Sequence, residues 1–309
     1  MITLNMYVAT VSGLMMLTFC SDMLVTGATH IGRLLRLSAV FVGVVIVGFG
    51  TSLPEILTTL ISGMRGEGAL GVGNIVGSNI ANIGLILGTA LILFGTTRMK
   101  TAYARNDYIM MLMASSLLCI IAVIWGYVSV VQSLILLAGM SGVLLYLLSK
   151  ARSVDIDDGE KPTWGEALSK TFIGLLGLWL GAELLVTGAI GIATDWGVPS
   201  EIVGLSMVAL GTSLPELAAT IAAARQKNCG IILGNVMGSN MLNIFAALGL
   251  GGLFVPLTLE GMGRDLIIMM AFSVALLTLF IWHNMVNRTV GVLFVLSYAF
   301  YIAYIYLAV

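Results

Sequence analysis

Ten runs of roughly twenty or more mostly apolar residues follow one another along this chain, and few folds accommodate such a pattern. They lie near 6–27, 38–64, 68–95, 108–126, 129–149, 167–192, 199–224, 230–255, 266–283 and 289–308. Only α-helices and closed β-barrels satisfy their backbone groups in lipid, and the alternating pattern of barrel strands is missing from the sequence. The expected fold is therefore an all-α membrane protein with ten transmembrane helices. Only 9% of residues are charged, against about 25% in soluble domains.

The basic residues orient those helices. With the N-terminus outside, the inside segments hold Arg33, Arg36, Arg98, Lys100, Arg105, Lys150, Arg152, Lys161, Lys170, Arg225, Lys227 and Arg288, and the outside ones only Arg65 and Arg264. Positive residues concentrate on the inside, so both termini are expected outside. The hydrophilic stretch 150–166 reads as a solvated linker. Its acidic run, Asp155 to Glu160, lacks the ligand spacing of an EF-hand loop. A net charge of −1 argues against a nucleic-acid partner. Cys20, Cys119 and Cys229 have neither disulfide nor metal spacing. No basic region or cleavage site precedes the first helix, which is expected to serve as its own insertion signal.

The chain repeats itself. "SDMLVTGA" (21–28) returns as "AELLVTGA" (182–189), "GTSLPE" (50–55) returns whole at 211–216, and "GNIVGSNIANI" (73–83) returns as "GNVMGSNMLNI" (234–244). Asp22 and Glu183, Glu55 and Glu216, Ser78 and Ser239, and Asn82 and Asn243 are each 161 residues apart. Five helices per half is an odd number, so the second half enters from the opposite face. This predicts an inverted-topology repeat, with residues 1–149 as the first half, 150–166 as an inside linker and 167–309 as the second half. In such transporters the site lies near the midplane between the halves.

The repeated strings carry the chemistry. Pro54 lacks an N–H and would clash with the carbonyl of Gly50, so it predicts a break with main-chain carbonyls turned out of the ladder. Pro215 and Gly211 predict the same in the seventh helix. Thr51, Ser52 and Glu55 share a face at helical spacing, as do Thr212, Ser213 and Glu216. Asn74, Ser78 and Asn82 form a polar stripe, repeated as Asn235, Ser239 and Asn243. Carboxylates, amides, hydroxyls and freed carbonyls are hard oxygen ligands, suited to Ca²⁺ or Na⁺ rather than Zn²⁺ or copper. One Gly–Pro kink with hydroxyls is common structural furniture. An intramembrane glutamate costs about 3 kcal/mol or more and marks function by default, and here it occurs twice. The spacings Gly73 to Gly77 and Gly234 to Gly238 predict close helix packing. Asp22 and Glu183 are read as lying toward the ends of the first and sixth helices, near the inside face, each partnered by a neighbouring helix end. His30 and His283 fall at predicted inside boundaries.

The paired GTSLPE and GN-x-x-GSN strings resemble the two repeats of the sodium/calcium exchanger family, within the cation/calcium antiporter superfamily, and the short linker resembles its prokaryotic members. The resemblance implies Ca²⁺/Na⁺ exchange by alternating access in a prokaryotic inner membrane, with no cofactor, and a monomer as the working unit. It implies Ca²⁺ held by the carboxylates of Glu55 and Glu216 and the main-chain carbonyls of Thr51 and Thr212. Na⁺ would use those glutamates, Ser52, Ser78, Ser213, Ser239 and the carbonyls of Gly48 and Ala209, with Asn82 and Asn243 lining the centre. In the family the first and sixth helices slide past the rest. One position departs: well-known exchangers have Asp where this chain has Asn243. Two carboxylates balance one Ca²⁺ or two Na⁺, which implies weaker binding of a third Na⁺ and less electrogenic exchange. A H⁺-coupled Ca²⁺ antiporter is the alternative, disfavoured by the Ser/Thr-rich shell. An intramembrane hydrolase would need a base beside Ser52 or Ser213, and none is present. A passive channel remains open at this stage.

Overall fold

The structure is a computed structural model, and it describes residues 2–94, 101–151, 162–196, 211–283 and 287–307. Those residues form helices almost throughout: α1 (Ile2–Leu35), α2 (Ala39–Thr51), α3 (Leu53–Met64), α4 (Gly68–Phe94), α5 (Thr101–Ile124), α6 (Val130–Ser149), α7 (Trp164–Asp195), α8 (Leu214–Arg225), α9 (Cys229–Phe254), α10 (Gly263–His283) and α11 (Arg288–Leu307). Seven helices are long and apolar enough to cross a membrane, and the bent pair α2–α3 makes an eighth. The expected seventh span, 199–224, is described only from Gly211 onward, as a final helical turn and α8.

Three features were not anticipated. The helices α1 and α7 are 34 and 32 residues long, well beyond the 22 and 26 expected. Each continues past the apolar stretch because the two run antiparallel and pack on each other along their length. Two short strands, β1 (Tyr127–Val128) and β2 (Leu257–Thr258), pair antiparallel with Tyr127 opposite Thr258. They tie the α5–α6 turn to the α9–α10 turn. Finally, single π-helical turns interrupt α2 at Gly43–Gly48, α4 at Asn82–Leu87 and α9 at Asn243–Leu248. Such turns hold one residue too many for the α-ladder and re-aim the side chains around them.

Glycine explains the α1–α7 contact. Gly13, Cys20 and Gly27 on α1 recur every seven residues, as do Gly174, Gly181 and Gly188 on α7. A seven-residue repeat keeps one seam facing a partner helix. A Cβ at Gly27 would stand 2.5 Å from the Thr171 main-chain nitrogen, and one at Gly174 would stand 2.5 Å from that of Leu24. Main chain meets main chain, which is how membrane helices gain packing without a hydrophobic drive. On α9, Gly234 and Gly238 press against Gly43 and Val44 of α2, as their spacing predicts. For Gly73 and Gly77, the repeat would place the matching partner at 204–205, outside the described residues.

The core lies where α2, α3, α4, α8 and α9 converge. The most apolar window of α9 is wholly buried and that of α4 mostly so, whereas α1, α6 and α11 turn most of theirs outward. Large apolar side chains such as Phe19, Leu145 and Phe300 are exposed there, as is Phe172 on α7. Outward-facing apolar surface of this extent suits contact with lipid rather than water.

Candidate cation site

The chain bends 44° between α2 and α3. The hinge is Ser52, at φ −84° and ψ 1°, a conformation outside the helical well. Pro54 therefore sits in the first turn of a new helix, where its missing N–H costs nothing, instead of clashing inside an old one. The same event recurs at Ser213 (φ −89°, ψ 1°), with Pro215 in the first turn of α8. The break does free the Gly50 carbonyl, as expected. Trp179 of α7 then donates to it through Nε1, at 3.2 Å. The Gly48 carbonyl accepts from Ser52 N at 2.9 Å and lies 3.3 Å from Thr51 Oγ1. Ala209 lies outside the described residues.

Helix geometry then carries the polar residues inward. Glu55 and Glu216 stand in the first turns of α3 and α8 and are fully buried. The N-terminal ends of helices favour negative charge. From α4 come Asn74, Ser78 and Asn82, and from α9 come Asn235, Ser239 and Asn243. All are buried except Asn74, which is partly so. The structure thus brings Thr51, Ser52, Glu55, Asn74, Ser78 and Asn82 of the first repeat into one interior region with Thr212, Ser213, Glu216, Asn235, Ser239 and Asn243 of the second.

Contacts cross between the halves. Ser52 Oγ donates to Glu216 Oε1 at 3.0 Å. Thr51 Oγ1 is 3.3 Å from Asn235 Oδ1, and Thr212 Oγ1 is 3.2 Å from Asn74 Oδ1, equivalent positions in the two repeats. Asn235 is held in turn by donating to Thr220 Oγ1 at 2.9 Å and to the Glu216 carbonyl at 3.2 Å. One contact breaks the symmetry. Ser213 Oγ donates to Ser78 Oγ at 3.2 Å and only lies beside Glu55, where the repeat would have it donate as Ser52 does to Glu216.

What remains in this cluster, beside the Nδ2 of Asn74, is a set of buried oxygens with no hydrogen-bond donor among the described residues. They are both carboxylate oxygens of Glu55, Oε2 of Glu216, Oδ1 of Asn82, Oδ1 of Asn243 and Oγ of Ser239. Buried polar atoms are paired in the great majority of cases. Six acceptors left over in one apolar interior, two of them on a single carboxylate, form an environment that a cation would satisfy. Among the described residues no three His, Cys, Asp or Glu side chains cluster, so the donor set is two carboxylates with neutral oxygens.

Several residues here escaped the sequence reading. Asn79 and Asn240 follow Ser78 and Ser239 by one position, about 100° around the helix and so off the polar stripe. Their recurrence 161 residues apart was the available signal. Thr220 recurs in the same way, with Thr59 161 residues before it, whereas Trp179 carried no signal, since its partner Gly50 is distant in sequence.

Asp22 and Glu183 are corrected in part. Because α1 and α7 extend further than expected, both acids stand within helices, and antiparallel packing puts them at different levels. Asp22 does have a helix end as partner. Arg225, the last residue of α8, donates to Asp22 Oδ1 at 2.9 Å, and Gln226 donates to the Asp22 carbonyl at 3.4 Å and to Thr26 Oγ1 at 3.3 Å. Glu183 has no such latch among the described residues. It accepts only from Thr187 of its own helix, at 3.5 Å. His30 stands 3.9 Å from Glu166, and the side chain of His283 is outside the described residues.

Comparison with known proteins places this geometry in context. The family model described as "Sodium/calcium exchanger protein" matches residues 6–149 and 168–307. An uncharacterized membrane protein of Methanocaldococcus jannaschii, MJ0091, is 33% identical over 299 residues, covering 94% of this chain and 95% of its own. The sodium/calcium exchanger MaX1 of Methanosarcina acetivorans is 30% identical over 348 residues, covering 99% and 98%. Among solved structures, the sodium-calcium exchanger NCX_Mj superimposes with a TM-score of 0.86 at 32% identity, covering 96% of this chain and 97% of that one.

Proposed function

This chain belongs to the sodium/calcium exchanger protein family, as a multi-pass membrane antiporter of the prokaryotic type, and we propose on that premise that it exchanges Ca²⁺ for Na⁺ at the interior oxygen cluster. The observation that carries the reading is the set of unpartnered buried oxygens on Glu55, Glu216, Asn82, Asn243 and Ser239. The relatives support the pairing of ions: MaX1 is named a sodium/calcium exchanger, and the NCX_Mj structure is of protein soaked with Na⁺ and Ca²⁺.

In this reading the architecture is ten spans in two inverted halves, residues 1–149 and 167–309 about the linker 150–166, with both termini outside and a monomer as the working unit. Ca²⁺ binds the carboxylates of Glu55 and Glu216 and the main-chain carbonyls of Thr51 and Thr212. Na⁺ binds the same carboxylates with Ser52, Ser78, Ser213, Ser239 and the carbonyls of Gly48 and Ala209. The two ions share ligands, so one displaces the other, and that competition is the basis of exchange. Two carboxylates neutralise one Ca²⁺ or two Na⁺. A third Na⁺ would leave net charge in a low-dielectric site, which is unfavourable, so it binds more weakly and the exchange is less electrogenic than the family norm.

The decisive measurement is uptake of radiolabelled Ca²⁺ into proteoliposomes under imposed gradients. An outward Na⁺ gradient drives accumulation, and Glu55→Gln or Glu216→Gln abolishes it. Uptake that follows a proton gradient and ignores Na⁺ would replace Na⁺ with H⁺ as the coupling ion. Full activity in either glutamine variant would remove the cluster from the transport path.

A further inference from the structure

Asparagine presents an oxygen at one end of its amide and an NH₂ group at the other, and the two ends are nearly the same size. At a cation site the choice matters, because the NH₂ end would repel the ion. Asn82 and Asn243 therefore need something to fix which way they face.

The structure supplies it twice, each time from the other half. Asn243 Nδ2 donates to Asn79 Oδ1 at 3.1 Å, and Asn82 Nδ2 donates to Asn240 Oδ1 at 2.9 Å. With their nitrogens committed there, Asn243 and Asn82 keep Oδ1 unpartnered and buried. Asn79 and Asn240 are themselves locked. Asn79 Nδ2 donates to the Asn240 carbonyl at 3.3 Å and toward Met269 Sδ at 3.8 Å. Asn240 Nδ2 donates to the Asn79 carbonyl at 3.4 Å and toward Met111 Sδ at 3.6 Å. A carbonyl and a thioether only accept. Flipping either amide would set oxygen against oxygen and leave a buried NH₂ against another NH₂, and unmade buried hydrogen bonds cost about 1–3 kcal/mol each. Both residues are fully buried, so water does not make up the loss.

We propose that Asn79 and Asn240 are positioning residues, each of which fixes the central asparagine of the opposite half so that it turns its carbonyl oxygen to the transported cation. The proposal rests on the cation-site reading above. It also gives two of the three π-helical turns a role: those of α4 and α9 begin at Asn82 and Asn243, at the points where an amide must reach across to the other half while its oxygen stays directed at the site.

A purely structural role, in which the two asparagines bolt α4 to α9, predicts lower stability and independent effects. The positioning role predicts coupling, and only across the halves. The test is a set of double-mutant cycles read as apparent KM for Ca²⁺ and maximal rate in Na⁺-driven proteoliposome uptake. Asn79→Ala raises KM by about tenfold, the equivalent of one lost ligand orientation, with the maximal rate within about twofold. In an Asn243→Ala background the same change adds nothing to KM, whereas in an Asn82→Ala background it adds its full factor. Asn240→Ala couples to Asn82 and not to Asn243. Where an alanine variant fails to fold, Asn79→Leu and Asn240→Leu fill the space without offering an acceptor. KM effects that simply add in every pair, or that couple equally within and across halves, would overturn the proposal. Loss of the cation reading itself gives a different result, in which Glu55→Gln retains uptake.

Discussion

A glutamate in an apolar interior is tolerable only where something shares its charge. Glu216 accepts from Ser52 at 3.0 Å, while Glu55, with Thr212 and Ser213 beside it, has no donor that close among the described residues. This difference has a thermodynamic sign. In alkaline buffer free of Na⁺ and Ca²⁺, Glu55→Gln is expected to raise the melting temperature by a few degrees, since about 1 kcal/mol shifts it by roughly 2–4 °C. Glu216→Gln should gain less, because it also weakens the bond from Ser52. Adding Ca²⁺ at about a hundred times its Kd should stabilise the native protein by about 2.7 kcal/mol and leave both variants unmoved. A melt series by intrinsic fluorescence measures all of these. The glutamates were legible in the sequence because a carboxylate in a lipid-spanning run is costly anywhere. Asn79 was not, because its worth depends on which atom of Asn243 stands opposite, and residue type does not say.

At the scale of elements, the main unanticipated feature is the glycine seam between α1 and α7. Each seam glycine leaves no room for a side chain: a Cβ at Gly13 would lie 2.5 Å from Leu185 N and one at Gly27 the same distance from Thr171 N. Gly27→Ala must therefore separate two backbones, and overpacking of this kind costs about 1–3 kcal/mol. Gly142 on α6 has open space where its Cβ would go, so Gly142→Ala should be neutral or stabilise by about 0.5–1 kcal/mol through helix propensity alone. Melting temperatures of the two variants in one detergent give the comparison. Equal melting temperatures would mean the seam yields. The seven-residue spacing was present in the sequence, yet nothing marked it as a contact face until the antiparallel partner was known. Pro54 shows the converse. Its position promised a break, and the backbone resolved it at Ser52 by starting a new helix.

The whole molecule is less symmetric than its sequence. Asp22, Thr26 and Gln226 correspond through the repeat to Glu183, Thr187 and Arg65. The first set is joined across two helices by hydrogen bonds, with Arg225 completing an ion pair, whereas in the second Thr187 donates to Glu183 within one helix and, among the described residues, no bond ties either to Arg65. Helix α1 thus lies along α8, while α7 makes few contacts with α3. An exposed pair such as Asp22–Arg225 is worth at most about 1 kcal/mol, a size suited to biasing an equilibrium without locking it. In a background with Cys20, Cys119 and Cys229 replaced by alanine, a cysteine at position 26 should react with a membrane-impermeant maleimide several-fold faster once Arg225→Ala is introduced, while one at position 187 is unaffected. Unchanged rates at both positions would mean the latch has no influence on exposure.

The amino-acid sequence by itself determined that the chain is a bundle of membrane-spanning helices, that it is built from two related halves, and that oxygen-bearing residues recur at matched places in each. Those conclusions rest on properties that belong to residues singly or at fixed spacing: transfer to lipid, helical period, the missing N–H of proline. Only the tertiary structure decided which carbonyl Trp179 meets, that Asn79 and Asn240 face the amides of the opposite half, that α1 and α7 share a glycine seam, and that Asp22 is latched while Glu183 is not. Each of these depends on which atoms of two distant segments stand within about 3 Å of each other, and a hydrogen bond of that kind has no sequence period to betray it.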